Sequence, residues 1–264
     1  MTKRMPVVFS GHGSPMVALD HNHITEEMNR IGNEVIEKFG KPKAILSVSA
    51  HWYTHGSFIQ SAQTPKQIYD MYGFPKELYE VRYPVSGCRS LTEDVQSLLG
   101  DQVAVNDDWG IDHGTWTVLV HMFPKHDIPV VQLSVNGDIR PEENYAIGKK
   151  LTGLRDQGYL IFASGNVVHN LGRVEWDNAH GTSQADAFDE WIKEKVLEKN
   201  HQAVIHYQEG PYSDYAVPTP DHYLPLLYAL GAADGDDAEV FNNVRNLGSM
   251  AMTGYAFGMN QEEK

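Results

Sequence analysis

Only one of the 264 residues is a cysteine, Cys88, so neither an intrachain disulfide nor a thiolate zinc cluster can form. Positive charge is scarce as well: 21 Lys and Arg against 35 Asp and Glu leave a formal net charge of -14. That balance argues against nucleic acid or an anionic membrane as the main partner and reads as a solvated surface. No apolar run approaches the length of a membrane span, and the run inside the start MTKRMPVVFSGHGSP is too short for the core of a signal peptide. A soluble, cytoplasmic protein with no membrane partner is the expectation. The short motifs of common active sites are missing too: there is no HExxH, CxxC pair, EF-hand loop, GxGxxG or Walker loop. The segment GHGSP is not GxSxG, so a hydrolase nucleophile elbow is unsupported.

What the chain does contain is a repeated arrangement of short apolar runs that end in small residues and then deliver a histidine. VVFSGHG carries His12, AILSVSAHW carries His51 and YLIFASGNVVHN carries His169. Each run is too short for a helix and rich in Val, Ile, Leu and Phe, which marks a buried strand. The carboxyl ends of parallel strands form the crevice where open α/β sheets bind ligands. Imidazole is both the commonest transition-metal ligand and the side chain that titrates near neutrality, so the pattern points to a metalloenzyme.

Hydrophobic residues make up 41%, enough for the core of one large α/β domain spanning residues 1–264. Strand signals at Val7–Ser10, Ala44–Ala50, Ser57–Gln60, Gln102–Val105, Ile128–Val135 and Tyr159–Ala163 alternate with helical ones. The helical segments are Ile24–Phe39 (with Thr25 as its cap), Ser90–Leu99, Thr115–Phe123, Pro141–Asp156, Ala185–Lys199 and Tyr223–Leu230. Ala238–Phe257 reads as two closing strands in a hairpin around Asn246-Leu247-Gly248. This alternation predicts a mostly parallel central sheet flanked by helices on both faces. From Thr64 to Gly87 the chain is irregular and aromatic. Tyr72, Phe74, Tyr79 and Tyr83 there read either as the wall of a pocket or as plain core.

Of thirteen histidines, His21, His23, His55, His121, His126, His180, His201 and His206 lie in polar or helical surroundings and read as surface or packing residues. His12, His51, His113, His169 and His222 stand apart because each has small or aromatic neighbours suited to close approach of a ligand. Gly11 and Gly13 flank His12, Trp52 follows His51, and Trp109 and Trp116 bracket His113.

The series GHGSP, SAHW, YGFP, WGIDHGTW, VQLSV, ASGNVVHN and PTPDHYLPLLYALGA resembles the extradiol ring-opening dioxygenases of the LigB-like class III family, in its 4,5-DOPA branch. The resemblance runs from about Met5 to near Met252. It implies one divalent metal ion and oxygen-dependent opening of a DOPA-like catechol to a muconic semialdehyde. By motif, it implies metal ligands at His12, His51 and His222 and either a further ligand or the acid/base group at His169. His113 matches a pocket histidine that contacts the catechol or the oxygen and stabilises charge there. The wider superfamily pairs two histidines with a glutamate, whereas here the third position is His222, and the nearest acids are Asp221 and Asp112. An all-histidine set suits Zn(2+), expected in isolated protein, while Fe(2+) is expected for turnover. The implied partners are the small-molecule catechol and O2, with the chain a monomer or small homo-oligomer. Arg82, Arg173 and Lys76 are the candidates for holding a substrate carboxylate. Two rivals share these residues: a zinc hydrolase on the same fold, and a catalytically silent binding relative.

Overall fold

The computed structural model describes residues 3–260. In chain order its strands and helices begin with β1 (Val7–Gly11), α1 (His23–Phe39), β2 (Ala44–Thr54), β3 (Phe58–Ile59), α2 (Arg89–Leu99) and β4 (Ala104–Val105). Then come α3 (His113–Met122), β5 (Val130–Asn136), α4 (Pro141–Lys150), β6 (Tyr159–Gly165), α5 (Ser183–Leu197) and α6 (His201–Ile205). The chain closes with α7 (Ser213–Ala216), α8 (Leu224–Ala233), β7 (Ala238–Phe241), β8 (Arg245–Asn246), β9 (Met250–Ala251) and β10 (Gly254–Phe257). Eight strands form one sheet in the order β4-β3-β5-β2-β6-β1-β10-β7. Its centre, β5-β2-β6-β1, is parallel throughout, and antiparallel pairs occur where β3 meets β5 and where β10 meets β1 and β7.

The expected α/β architecture is thus present, and strand alternation explains why both faces are covered. Val7, Phe9, Leu46, Val48, Ile161 and Ala163 point to one face, under α2, α4, α5 and α8. Val8, Ile45, Leu160 and Phe162 point to the other, under α1 and α3. Strands buried on both sides read as continuous apolar runs, which is why they were visible in the sequence.

Local details differ from the sequence-based expectations. Asn22, not Thr25, caps α1: the Asn22 side chain accepts from the Ile24 and Thr25 amides, and Thr25 returns a bond to the Asn22 amide. The segment after Pro141 leaves the α-helix at Lys150 and continues as a 3-10 turn to Gln157. The closing region is more elaborate than one hairpin. β8 and β9 make a separate two-stranded ribbon around Leu247 and Gly248, while β7 and β10 join the main sheet. No helix among the described residues is long and apolar enough to cross a membrane.

Candidate metal centre

β2, β6 and β1 lie side by side, and their carboxyl ends supply the floor of one crevice. His12 is the first residue beyond β1, its amide bonded to the Gly165 carbonyl at 3.1 Å. His51 lies inside β2 and needs a distortion to reach the same point. Ser49 pairs with Ser134, but the next paired residue is Tyr53, opposite Val135, so Ala50, His51 and Trp52 have no counterparts on β5. Such a bulge re-aims side chains at a strand end. His113 opens α3 immediately after its cap, Asp112. His222 sits in the turn before α8, and its carbonyl accepts the Asn166 amide at 2.8 Å. That turn can lie on the end of β6 only because Gly165 has no side chain: a Cβ there would come 2.2 Å from the His222 carbonyl oxygen. His169 is held by its amide on the Ala216 carbonyl and by a bridge to Met250.

All five singled-out histidines meet in this crevice. The Nε2 atoms of His12 and His51 are 3.1 Å apart. Ring centroids lie 3.8 Å apart for His51 and His113, 5.1 Å for His12 and His222, and 5.0 Å for His51 and His222. His169 stacks on His222 at 3.5 Å with planes only 3° apart. Donor atoms of His12, His51 and His113 all fall within 4.8 Å of one another. Outside this group, His121 bonds the Val17 carbonyl, His201 the Tyr145 hydroxyl and His206 the Glu142 carboxylate, as packing and surface residues do.

A neighbouring hydroxyl fixes which ring nitrogen of His12 carries the proton. Ser164 donates its hydroxyl hydrogen to the Gly114 carbonyl, so toward His12 it can only accept, and His12 Nδ1, 2.9 Å away, must be the donor. His222 Nδ1 makes a short contact with the Asp221 carboxylate. Asp70 Oδ2 lies 3.0 Å from His113 Nδ1 and 3.4 Å from His51 Nδ1, close charge contacts rather than aligned hydrogen bonds. With the proton on Nδ1, each ring offers a bare Nε2 lone pair inward, and second-shell oxygens commonly orient metal-binding imidazoles in this way.

Electrostatics agree with neutral rings at His12, His51 and His169. Burial, followed by the neighbouring imidazoles, holds His12 and His51 well below the ordinary histidine value. Burial and the charge of His222 bring His169 down to about 3. For Asp221, burial is outweighed by the hydrogen bond and charge of His222, and its carboxyl falls to about 2. Asp112 is pushed up to about 6, chiefly by burial and then by Asp70. It accepts from Ser49 Oγ at 2.7 Å, from the Trp109 indole at 3.0 Å and from the Thr115 amide at 3.2 Å, which occupies it as a structural cap.

The donor set fits a divalent cation. The Nε2 atoms of His12 and His51 face each other at 3.1 Å in line for one shared positive centre, a proton in the metal-free site or a metal ion when one is bound. Two imidazoles sharing one zinc ion stand about 2.9–3.4 Å apart for bond angles between a right angle and the tetrahedral one. The Nε2 of His222 is buried beside them without a hydrogen-bond partner.

Several expected pocket features lie elsewhere. Tyr72 is 92% exposed and Tyr83 is core, its hydroxyl on the Phe123 carbonyl. Arg82 is engaged with Tyr69 and the Tyr79 carbonyl, and Lys76 pairs with Glu80 on the surface. Sequence reasoning missed Asp70 and the orienting role of Ser164. Only the run of small residues before His169 hinted at the latter.

Comparison with known proteins agrees with this geometry. Residues 6–258 match the family described as the catalytic LigB subunit of aromatic ring-opening dioxygenase. The chain is 40% identical over 243 residues to the 4,5-DOPA dioxygenase extradiol of Escherichia coli (strain K12), covering 89% of this chain and 87% of that one. It is 35% identical to the protein of the same name from Beta vulgaris, covering 94% and 95%. The crystal structure of an uncharacterized protein from Escherichia coli K12 superposes with a TM-score of 0.83 at 35% identity, over 97% of this chain and all of that one. A strand-end crevice of imidazoles and a match over nearly the full chain lead to one conclusion: the chain belongs to the LigB family of extradiol aromatic ring-opening dioxygenases.

Proposed function

We propose that this enzyme opens a DOPA-like catechol with O2, using one divalent ion held by His12, His51 and His222. The observation that carries the proposal is the facing pair of Nε2 atoms at 3.1 Å with the partnerless Nε2 of His222 beside them. The names of the relatives from Escherichia coli and Beta vulgaris make DOPA the first substrate to test. When bound, the ion supplies positive charge that favours a deprotonated catechol hydroxyl and a route for electrons to oxygen; zinc suits the imidazoles as isolated, iron(II) the turnover.

The side chains do the rest. His169 and His222 stack in parallel at 3.5 Å, so the two rings would not both hold one ion. The partnerless Nε2 of His222 and its place about 5 Å from the rings of both His12 and His51 support it as the ligand and leave His169 as the acid/base group. His169 is neutral on arrival of substrate, so a ring nitrogen is free to take a hydroxyl proton and return it as the ring opens. A developing anionic oxygen beside it favours the protonated ring. His113 Nδ1 lies 3.0 Å from the Asp70 carboxylate, whose charge favours the proton there, and with the proton on Nδ1 the Nε2 is left to accept a hydroxyl hydrogen bond. Once protonated there, it donates to an anionic oxygen while Asp70 balances the charge.

A second reading has a specific observation behind it. His113 shares the 4.8 Å group with His12 and His51, which favours it as third ligand instead of His222. Metal content decides: loss in His222→Ala with retention in His113→Ala supports the first reading, and the reverse pattern supports the second. The activity itself is tested by anaerobic iron(II) reconstitution followed by catechols in an oxygen electrode. One O2 consumed per catechol with a yellow ring-opened product is the expected result. Turnover without oxygen uptake contradicts the proposal and favours hydrolysis.

A further inference from the structure

Asp70 lies in the irregular aromatic segment, more than forty residues before His113, yet its carboxylate comes within 3.4 Å of two of the site's imidazoles. The segment is strapped to the lead-in of α3. The Ile68 amide bonds the Ile111 carbonyl at 3.0 Å, the Ile111 amide bonds the Lys66 carbonyl at 2.8 Å, and the Trp116 indole bonds the Ile68 carbonyl at 2.9 Å. These bonds deliver Asp70 over the first turn of α3. Its Oδ1 accepts the His113 amide at 2.9 Å, which anchors the carboxylate. Its Oδ2 then lies 3.0 Å from His113 Nδ1 and 3.4 Å from His51 Nδ1, off the hydrogen-bond line but close enough for its charge to act on both rings, with a side chain only 12% exposed.

We propose that Asp70 is a positioning residue, whose carboxylate holds His51 and His113 as Nδ1–H tautomers and so turns both Nε2 lone pairs toward the ion. The inference rests on the metal-site reading above. The physical reason is simple. A bare nitrogen lone pair at this distance from a carboxylate oxygen is repelled, whereas an N–H there is attracted. A neutral imidazole has one proton to place, so a proton drawn to Nδ1 leaves Nε2 free for a metal. One side chain thereby sets two rings and ties them to α3 through the His113 amide.

Asp70→Asn separates this role from simple packing. Asparagine keeps the shape but replaces one acceptor with a donor, and the site presents donors on both sides: the His113 amide and the ring Nδ1–H groups. At least one ring must then turn its proton to Nε2. Long-range 1H–15N spectra of metal-free protein report each tautomer directly, and zinc affinity is read by chelator competition. Expected are Nδ1–H signals for His51 and His113 in the wild type, an Nε2–H signal for at least one in Asp70→Asn, and zinc affinity about 10- to 100-fold weaker. If the variant does not fold, the wild-type spectrum still decides, because Nε2–H on either ring overturns the proposal. Unchanged tautomers with zinc affinity within about twofold in Asp70→Asn overturn it as well, while leaving the metal site standing. A wild type that binds no zinc through these histidines overturns the metal-site reading and this inference together.

Discussion

Removing the Ser164 hydroxyl isolates one of the tautomer locks. The hydroxyl is fully buried, accepts from His12 Nδ1 at 2.9 Å and donates to the Gly114 carbonyl. Ser164→Ala leaves the His12 Nδ1–H buried without a bond, while the Gly114 carbonyl keeps its bond within α3, so the apoprotein should lose roughly 1–3 kcal/mol of stability. At about 2–4 °C per kcal/mol for a chain of this size, its melting temperature should fall by at least about 2 °C. The second effect is the informative one. Without the serine, His12 is free to carry its proton on Nε2, and loss of a second-shell partner typically weakens metal binding about 10- to 100-fold, or about 1.4–2.7 kcal/mol. Chelator competition with zinc on the folded variant, alongside thermal unfolding, measures both. A folded Ser164→Ala protein that binds zinc within about twofold of the wild type refutes the tautomer argument.

Three further expectations follow from the same geometry. His169→Ala should keep its metal and lose turnover by about a hundred- to ten-thousand-fold, and loss of metal from this variant would make His169 a ligand instead. Gly114→Ala would place a Cβ 2.8 Å from His51 Cδ2 and 2.7 Å from Ser49 Oγ, so His51 must shift. Metal titration should show at least about tenfold weaker binding, and unchanged affinity contradicts the packing argument. The metal-free protein should also lose stability on mild acidification. His12, His51 and His169 have folded-state values below 6.5, so the unfolded chain binds more protons as pH falls through that value. Their contribution is complete above about pH 7.5 and is lost progressively below 6.5, roughly 0.8 kcal/mol each by pH 6. Asp112 and Asp189, raised to about 6, act in the opposite direction by about 0.4 kcal/mol each at that pH, which leaves a net loss near about 2 kcal/mol. Urea unfolding at pH 8 and pH 6 tests this, and equal stability at the two contradicts it.

The strands that matter most were the most legible. β1, β2 and β6 are apolar on both faces because helices cover both, and a histidine follows or ends each run. That alone placed His12, His51 and His169 at one edge. The precise delivery of His51 was not legible, because three unpaired residues in β2 depend on the register of β5, a long-range property. Asp70 was hidden for a similar reason. Nothing in YDMYGFP marks the aspartate, and its role arises only when backbone bonds to Ile111 lay the segment over α3. Asp221 and Asp112 were visible as acids near histidines, but their hydrogen bonds give them different duties, one orienting His222 and the other capping α3. The cap of α1 was misplaced by three residues because Asn22 and Thr25 are both good capping types and the reciprocal bonds between them use both.

The most direct test of the account is the zinc content of wild-type protein and of the His12→Ala, His51→Ala and His222→Ala variants after equilibrium dialysis, with circular dichroism to confirm folding. One ion per wild-type chain and none retained by any of the three folded variants is the predicted result. A folded His12→Ala or His51→Ala protein that still holds one ion per chain contradicts the idea that these imidazoles share a cation.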